Sequence, residues 1–148
     1  MRLVLQRVKS ASVSAGGSVT GSVGVGLCIL IGVTHTDTER DVTALAQKTV
    51  NLRIFDDECG KMNKSLLEIG GGVLAVSQFT LYADCARGRR PSYIGAASPE
   101  HAKDMYELFI RALEKMKITV GAGIFGAKMV VDIANDGPVT IILDSADL

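Results

Sequence analysis

Tryptophan is absent from this 148-residue chain, and aromatic residues make up only 5% of it. The core must then be filled by Val, Ile, Leu, Met and Ala, with few large rings to help. Charge of one sign is also missing, since 16 basic side chains balance 16 acidic ones. No global field draws the chain to nucleic acid or to a membrane surface, so any phosphate contact must come from a local patch. Cysteine is scarce: Cys28, Cys59 and Cys85 are odd in number and far apart. Without a CxxC pair, neither a structural zinc site nor a disulfide framework is indicated, and free thiols point to a reducing compartment. No apolar run approaches the roughly 20 residues that cross a bilayer. The N-terminus runs straight into an alternating strand pattern where a signal peptide would have an apolar block. The expectation is a cytoplasmic protein that touches no membrane and uses no metal and no cofactor.

What is present reads as one domain, residues 1–148, long enough to bury roughly two-thirds of its unfolded surface. Hydrophobic content of 47% is high for a small monomer and raises the prospect of a buried subunit interface. Residues Met1–Val8 alternate as a strand. Gly16-Gly17, between two short β-prone runs, marks a tight hairpin. Val25–Val33 is continuously apolar and short, the pattern of a central strand buried on both faces; Cys28 within it reads as core. Thr36-Asp37-Thr38-Glu39 matches a capping box, predicting a helix to about Leu52 with Val42, Leu45, Ala46 and Thr49 inward. Arg53–Phe55 reads as a short strand and Asp56–Lys61 as a polar turn, its acids lacking the ligand spacing of a calcium loop. Gly70-Gly71-Gly72 precedes a strand and no Lys-Ser/Thr follows, so a turn fits better than a phosphate loop. Ser98-Pro99 predicts a second helix to about Met116. Ile118–Val120, Met129–Ala134 and Val139–Leu143 read as strands. The sum is an α+β domain with a largely antiparallel, barrel-like sheet and two main helices.

Chemistry has few places to reside. Hydroxyls and an amide follow the buried strand Val73–Val76, at Ser77-Gln78-Phe79-Thr80-Leu81-Tyr82-Ala83, where they are poorly placed for packing and well placed for a polar ligand. His35, before a helix cap, and His101, on a helix surface, make poor activators of a nucleophile. Cys85 lies in a basic loop that could lower its pKa. What remains is backbone: amides of Phe79 and Thr80, left at a strand end, could hold an oxyanion. Ser77 and Thr80 hydroxyls could orient a substrate, or Thr80 could attack it. The bland alternative is that both hydroxyls satisfy strand-end backbone. Gly137-Pro138 is similarly open between a plain turn and an unusual backbone that aims carbonyls outward. Arg87, Arg89 and Arg90 form either a solvated loop or a phosphate contact.

The segments Asn51-Leu52-Arg53-Ile54-Phe55, Ser77–Ala83, Gly88-Arg89-Arg90-Pro91-Ser92, Phe125-Gly126-Ala127 and Asn135-Asp136-Gly137-Pro138-Val139-Thr140, with Met1-Arg2 and Gln6-Arg7-Val8, resemble the D-aminoacyl-tRNA deacylases. The match spans nearly the whole chain. It implies a homodimeric editing hydrolase that cleaves D-aminoacyl-tRNA and glycyl-tRNA and spares L-aminoacyl-tRNA. It further implies that Gly137-Pro138 is a cis pair entering the partner subunit's pocket to select chirality. Ser77, Gln78, Phe79 and Thr80 would form the catalytic wall. Arg7 would brace the Gly-Pro loop, Phe125 and Met129 would hold the terminal adenine, and Arg87, Arg89 and Arg90 would meet tRNA phosphates. Thr80 is then either nucleophile or positioner, the second being preferred because no base beside it is evident. Cys85-Ala86 departs from a stretch that is more polar or basic in the family.

Overall fold

The computed structural model describes residues 1–148. Strand β1 (Arg2–Ala15) is the spine of the sheet. Gly16 and Gly17, both at positive φ (58° and 84°), return it into β2 (Ser18–Val23) as the Gly-Gly pair predicts. Along one edge, Ala11–Ala15 pair with β2 and Arg2–Val8 with β3 (Gly26–Gly32), both antiparallel. Along the other edge β1 pairs with β8 (Met129–Asp144), also antiparallel. The C-terminal pattern, read as two strands, is thus one strand continuous through Asn135–Thr140.

The sheet is more mixed than its sequence suggests. From β3 the chain passes through α1 (Glu39–Asn51) and the small hairpin β4 (Phe55–Asp56) and β5 (Met62–Lys64). It returns as β6 (Gly72–Ser77), parallel to β3. A second crossover through α2 (Pro99–Lys115) places β7 (Val120–Ala122) parallel to β6. The free ends of this curled sheet, β2 and β7, meet backbone to backbone. A Cβ on Gly21 would sit 2.6 Å from Ala122 N, and one on Gly121 2.6 Å from Ser22 O. Only glycine permits that closure, which gives the core its barrel-like form.

Local chemistry sets the helix ends. The cap of α1 lies two residues beyond the expected box: Asp41 Oδ2 accepts from the Thr38 amide (2.8 Å) and hydroxyl (2.6 Å). Its inward face is the expected one, Val42, Leu45, Ala46 and Thr49 all being buried. Helix α2 opens with Ser98 Oγ accepting from His101 N and Pro99 in first position. It closes on Lys117 at φ 63°, where Ile118 N donates to Leu113 O and Lys117 N to Glu114 O. The main core, including Leu5, Ile29, Leu45, Ala75 and Phe109, packs both helices on one sheet face. A smaller cluster built on Val13, Cys28, Leu74 and Val76 fills the other. Burial pushes the Cys28 thiol up to about 11, which suits its reading as core.

Candidate active site

Parallel strands leave their carboxyl ends together, and in open α/β sheets that is where ligands bind. Here β3 ends at Gly32 and β6 at Ser77, and a cavity of about 500 Å³ lies beyond them. Ile31 and Val76 form its floor, with Ser77, Gln78 and Phe79 as one wall. Phe125 and Met129, from the connection between β7 and β8, line it as well. The rest of its lining includes residues that sequence reasoning did not assign to the site: Tyr93, Ala96, Ala97, Ala102 and Tyr106. Ala102 lies on the apolar face of α2, and Tyr106 follows it one turn later. A stripe that fills the core at one end and lines a cavity at the other carries no separate periodicity. Tyr106 is fixed by its hydroxyl, which donates to Ala75 O at 2.9 Å, and burial pushes its pKa up to about 12. It therefore stays protonated.

Past Ser77 the chain leaves the sheet and turns through Phe79–Tyr82 as one short helical turn. Gln78 N still pairs with Ile31 O (2.7 Å), and Leu81 N reaches back to Gln78 O (3.3 Å). Between them the amides of Phe79 and Thr80 have no acceptor, as expected for the first donors of a turn. The Thr80 hydroxyl is engaged: Gln78 Nε2 donates to Thr80 Oγ1 at 2.5 Å. Both histidine rings are occupied elsewhere, His35 Nε2 with Ile94 O (2.7 Å) and His101 Nε2 with Asp37 O (3.0 Å). No imidazole stands ready to activate Thr80.

The second polar segment lies apart from this cavity. Gln6 pairs with Thr140 and Val8 with Asn135, so four residues of β8, 136 to 139, face the single Arg7 on β1. The surplus is thrown outward as a bulge with Gly137 and Pro138 exposed at its tip, joined by a cis peptide bond. Asn135 closes its base. Its Nδ2 donates to Arg7 O (2.8 Å) and Val139 O (3.1 Å), and its Oδ1 accepts from Gln6 Nε2 (3.0 Å). Arg7 is 7% exposed. Its Nη1 donates to Ile54 O (2.8 Å) and meets Asp56 Oδ1 (3.2 Å). Its Nε lies 3.1 Å from Asp136 Oδ2, an ion pair whose N–H is not aligned for a hydrogen bond. Neither Gly137 nor Pro138 lines the chain's own cavity.

The three arginines are exposed in the loop from Asp84 to Ser92, whose ends pair through Asp84 N to Ser92 O (2.8 Å) and Ser92 N to Asp84 O (2.9 Å). Comparison with known proteins decides what kind of molecule holds these parts. Residues 4–144 match the family model described as D-Tyr-tRNA(Tyr) deacylase. The D-aminoacyl-tRNA deacylase of Thermus aquaticus is 54% identical over 147 residues, covering 99% of this chain and 97% of the relative. That of Deinococcus deserti is 57% identical over 144 residues, 97% and 99% of the two chains. The chain belongs to the D-aminoacyl-tRNA deacylase family. It is therefore read as a hydrolase. Among solved structures, one described as c-Myc DNA Unwinding Element Binding Protein superposes with a TM-score of 0.91 at 40% identity, covering 97% of this chain and 98% of that one. A probable eukaryotic D-amino acid tRNA deacylase shares the fold, with a TM-score of 0.82 at 15% identity over 96% of this chain and 97% of that one. The deacylase fold thus carries the cavity at the ends of β3 and β6 on one side and the Gly137-Pro138 bulge on another. No helix in the chain is long and apolar enough to cross a membrane.

Proposed function

We propose that the protein hydrolyses the ester of D-aminoacyl-tRNA, and of glycyl-tRNA, as a homodimer in which each active site is built from both chains. The observation that carries this reading is the split just described. Beside the cavity, two amides meet no acceptor on their own chain. A braced convex bulge on the same chain has nothing opposite it. A two-fold axis supplies each with the other, because an isologous contact presents the same patches reciprocally. Strand β8 supports the dimer: only its β1 edge is paired, and Val130 and Ile142 on it are 62% and 66% exposed. An unpaired apolar edge strand of this length invites a second chain.

In the assembled site the terminal adenine lies against Phe125 and Met129, and the scissile carbonyl lies over the turn at Phe79. Water adds to the carbonyl carbon, and the Phe79 and Thr80 amides receive the developing oxyanion. The C–O bond to the ribose 3′ oxygen then breaks, a proton passes to that oxygen with the neighbouring 2′-hydroxyl as relay, and free amino acid leaves. Thr80, held by Gln78, positions and does not attack. Gly137 and Pro138 of the second copy close the side of the α-carbon where an L side chain would project. Glycine has nothing to exclude, so it is accepted. Arg87, Arg89 and Arg90 meet the tRNA backbone, and the reaction takes place in the cytoplasm.

The test is to incubate the protein with D-Tyr-tRNA, L-Tyr-tRNA and Gly-tRNA, with EDTA and a thiol blocker in parallel. Release of the D and glycyl species alone, unaffected by either reagent, is the expected result. A second reading, a nucleic-acid-binding module without turnover, draws on the DNA-binding description of the solved relative at 40% identity; stable binding with no release would favour it. Loss of turnover with the thiol blocker would move the chemistry to Cys85.

A further inference from the structure

The chain has four Phe and three Tyr. Five of the seven are buried or half-buried, and the two that are exposed, Phe79 (55%) and Tyr93 (42%), touch each other. Their ring centroids lie 5.0 Å apart at 70°, an edge-to-face contact. Such a pair leaves at least one ring face uncovered. Both rings line the cavity described above, and Phe125 and Met129 line it too.

Tyr93 also follows Ser92, the residue that closes the arginine loop onto Asp84. The loop is set by Asp84 Oδ1, which accepts from Ala86 N at 2.9 Å, and it carries Arg87, Arg89 and Arg90 exposed. The segment after Tyr93 is bolted down. His35 Nε2 lies 2.7 Å from Ile94 O, Gly95 O accepts from Thr34 Oγ1 at 2.7 Å, and Ala97 N donates to Val33 O at 2.9 Å. A rigid, solvent-facing ring between a cationic loop and an apolar cavity matches the parts of a single-stranded nucleic-acid site: charge for the backbone and a platform for a base.

We propose that Tyr93 is a stacking platform for the nucleobase immediately 5′ to the terminal adenosine, with the arginine loop taking the phosphates beside it. This rests on the editing reading for the identity of the strand. It adds a subsite that the terminal nucleotide does not use, so Tyr93 positions the acceptor end and takes no part in the chemistry. A hydrophobic peptide is disfavoured as occupant by the three arginines at the platform's edge, which complement phosphate.

The experiment compares Tyr93→Ala and Tyr93→Phe with the unaltered protein on two esters, D-Tyr-tRNA and 3′-O-(D-tyrosyl)adenosine. One lost base stack corresponds to about a tenfold loss. The expected result for Tyr93→Ala is a rise of about that size in KM for D-Tyr-tRNA with kcat held. The loss on the adenosine ester is much the smaller of the two, since Tyr93 also lines the cavity that takes it, and Tyr93→Phe restores the tRNA value. Equal losses on both esters, or no loss on either, would overturn the proposal. A separate titration of an uncharged RNA hairpin ending in CCA keeps the two readings apart. If the unaltered protein cleaves neither ester, the editing reading fails. Weaker hairpin binding by Tyr93→Ala, restored by Tyr93→Phe, would still uphold the platform, and unchanged binding would overturn it.

Discussion

At the end of β6 the backbone turns inward over a cavity, whereas in the middle of β8 it turns outward into solvent. The first region is held loosely in hydrogen-bonding terms: two amides lack partners, and the Thr80 hydroxyl is tied only to the neighbouring Gln78. The second is held tightly, with Asn135 bonded to Arg7 O and Val139 O and a buried guanidinium drawn to Asp56 and Asp136. On the proposed mechanism the difference is one of role. A wall that must receive charge keeps donors free, and an element that must exclude a side chain has to be unable to yield.

The largest effect is expected where rigidity is greatest. Gly137 has φ 113°, and a Cβ there would lie 2.8 Å from Val139 Cγ2 and 2.9 Å from Val139 N. Gly137→Ala must displace the bulge. A misplacement of about 1 Å costs on the order of a hundredfold in rate, so deacylation of D-Tyr-tRNA should fall by that factor while the fold survives. Measured kcat/KM close to the unaltered value would mean that the bulge is not part of the site.

Arg7→Met probes the brace from below. It leaves Ile54 O without its donor and Asp136 with only the more distant Lys9, at 3.8 Å, as counter-charge. Because both carboxylates are partly exposed, the cost should be about 2–3 kcal/mol, below that of breaking a fully buried pair. Urea denaturation gives the value, and a change under ~0.5 kcal/mol would show the network to be ornamental.

Thr80→Ala probes the loosely held side. Losing one neutral hydrogen bond is worth ~1 kcal/mol, so turnover should drop by less than about tenfold. Complete loss with normal substrate binding would make Thr80 the nucleophile.

These predictions depend on features that were unequally legible in the sequence. Short-range signals carried well. Gly16-Gly17 gave its hairpin, Ser98-Pro99 opened its helix, and the spacing of Val42, Leu45, Ala46 and Thr49 defined a buried face, because each depends on residues within a turn or two. The cap moved from Thr36 to Thr38 because Asp41 serves in place of Glu39, a choice that alternating Thr and acidic residues leave open. Long-range pairing was opaque. Nothing local says that β3, β6 and β7 run parallel, or that β8 continues through Gly137-Pro138 with four residues opposite one. The rest of the cavity's lining escaped for the same reason: Tyr93 and Tyr106 meet Phe79 and Phe125 only in the folded chain.

The smallest effect is general. The Thr38 hydroxyl holds the Asp41 carboxyl below its ordinary 3.8. Burial raises Asp144, but the Ala146 amide and Arg2 outweigh it and leave the carboxyl lowered from 3.8. A lowered native value means that this stability is fully present above the unfolded pKa and is lost as pH falls through the native one. Unfolding midpoints should therefore hold from neutrality to about pH 5 and decline below about 4, by under ~1 kcal/mol per group because both are partly open to solvent. A decline beginning near neutrality would point to other groups.

The central claim, that each site takes its wall from one chain and its bulge from another, is tested most directly by mixing two inactive proteins. Gly137→Ala damages the bulge and spares the cavity, while Ala96→Trp fills the cavity and spares the bulge. Co-refolded, random two-fold pairing places an intact wall opposite an intact bulge in about a quarter of all sites. D-Tyr-tRNA deacylation should return to about that fraction of the unaltered rate. A mixture that stays as inactive as its components would contradict the account.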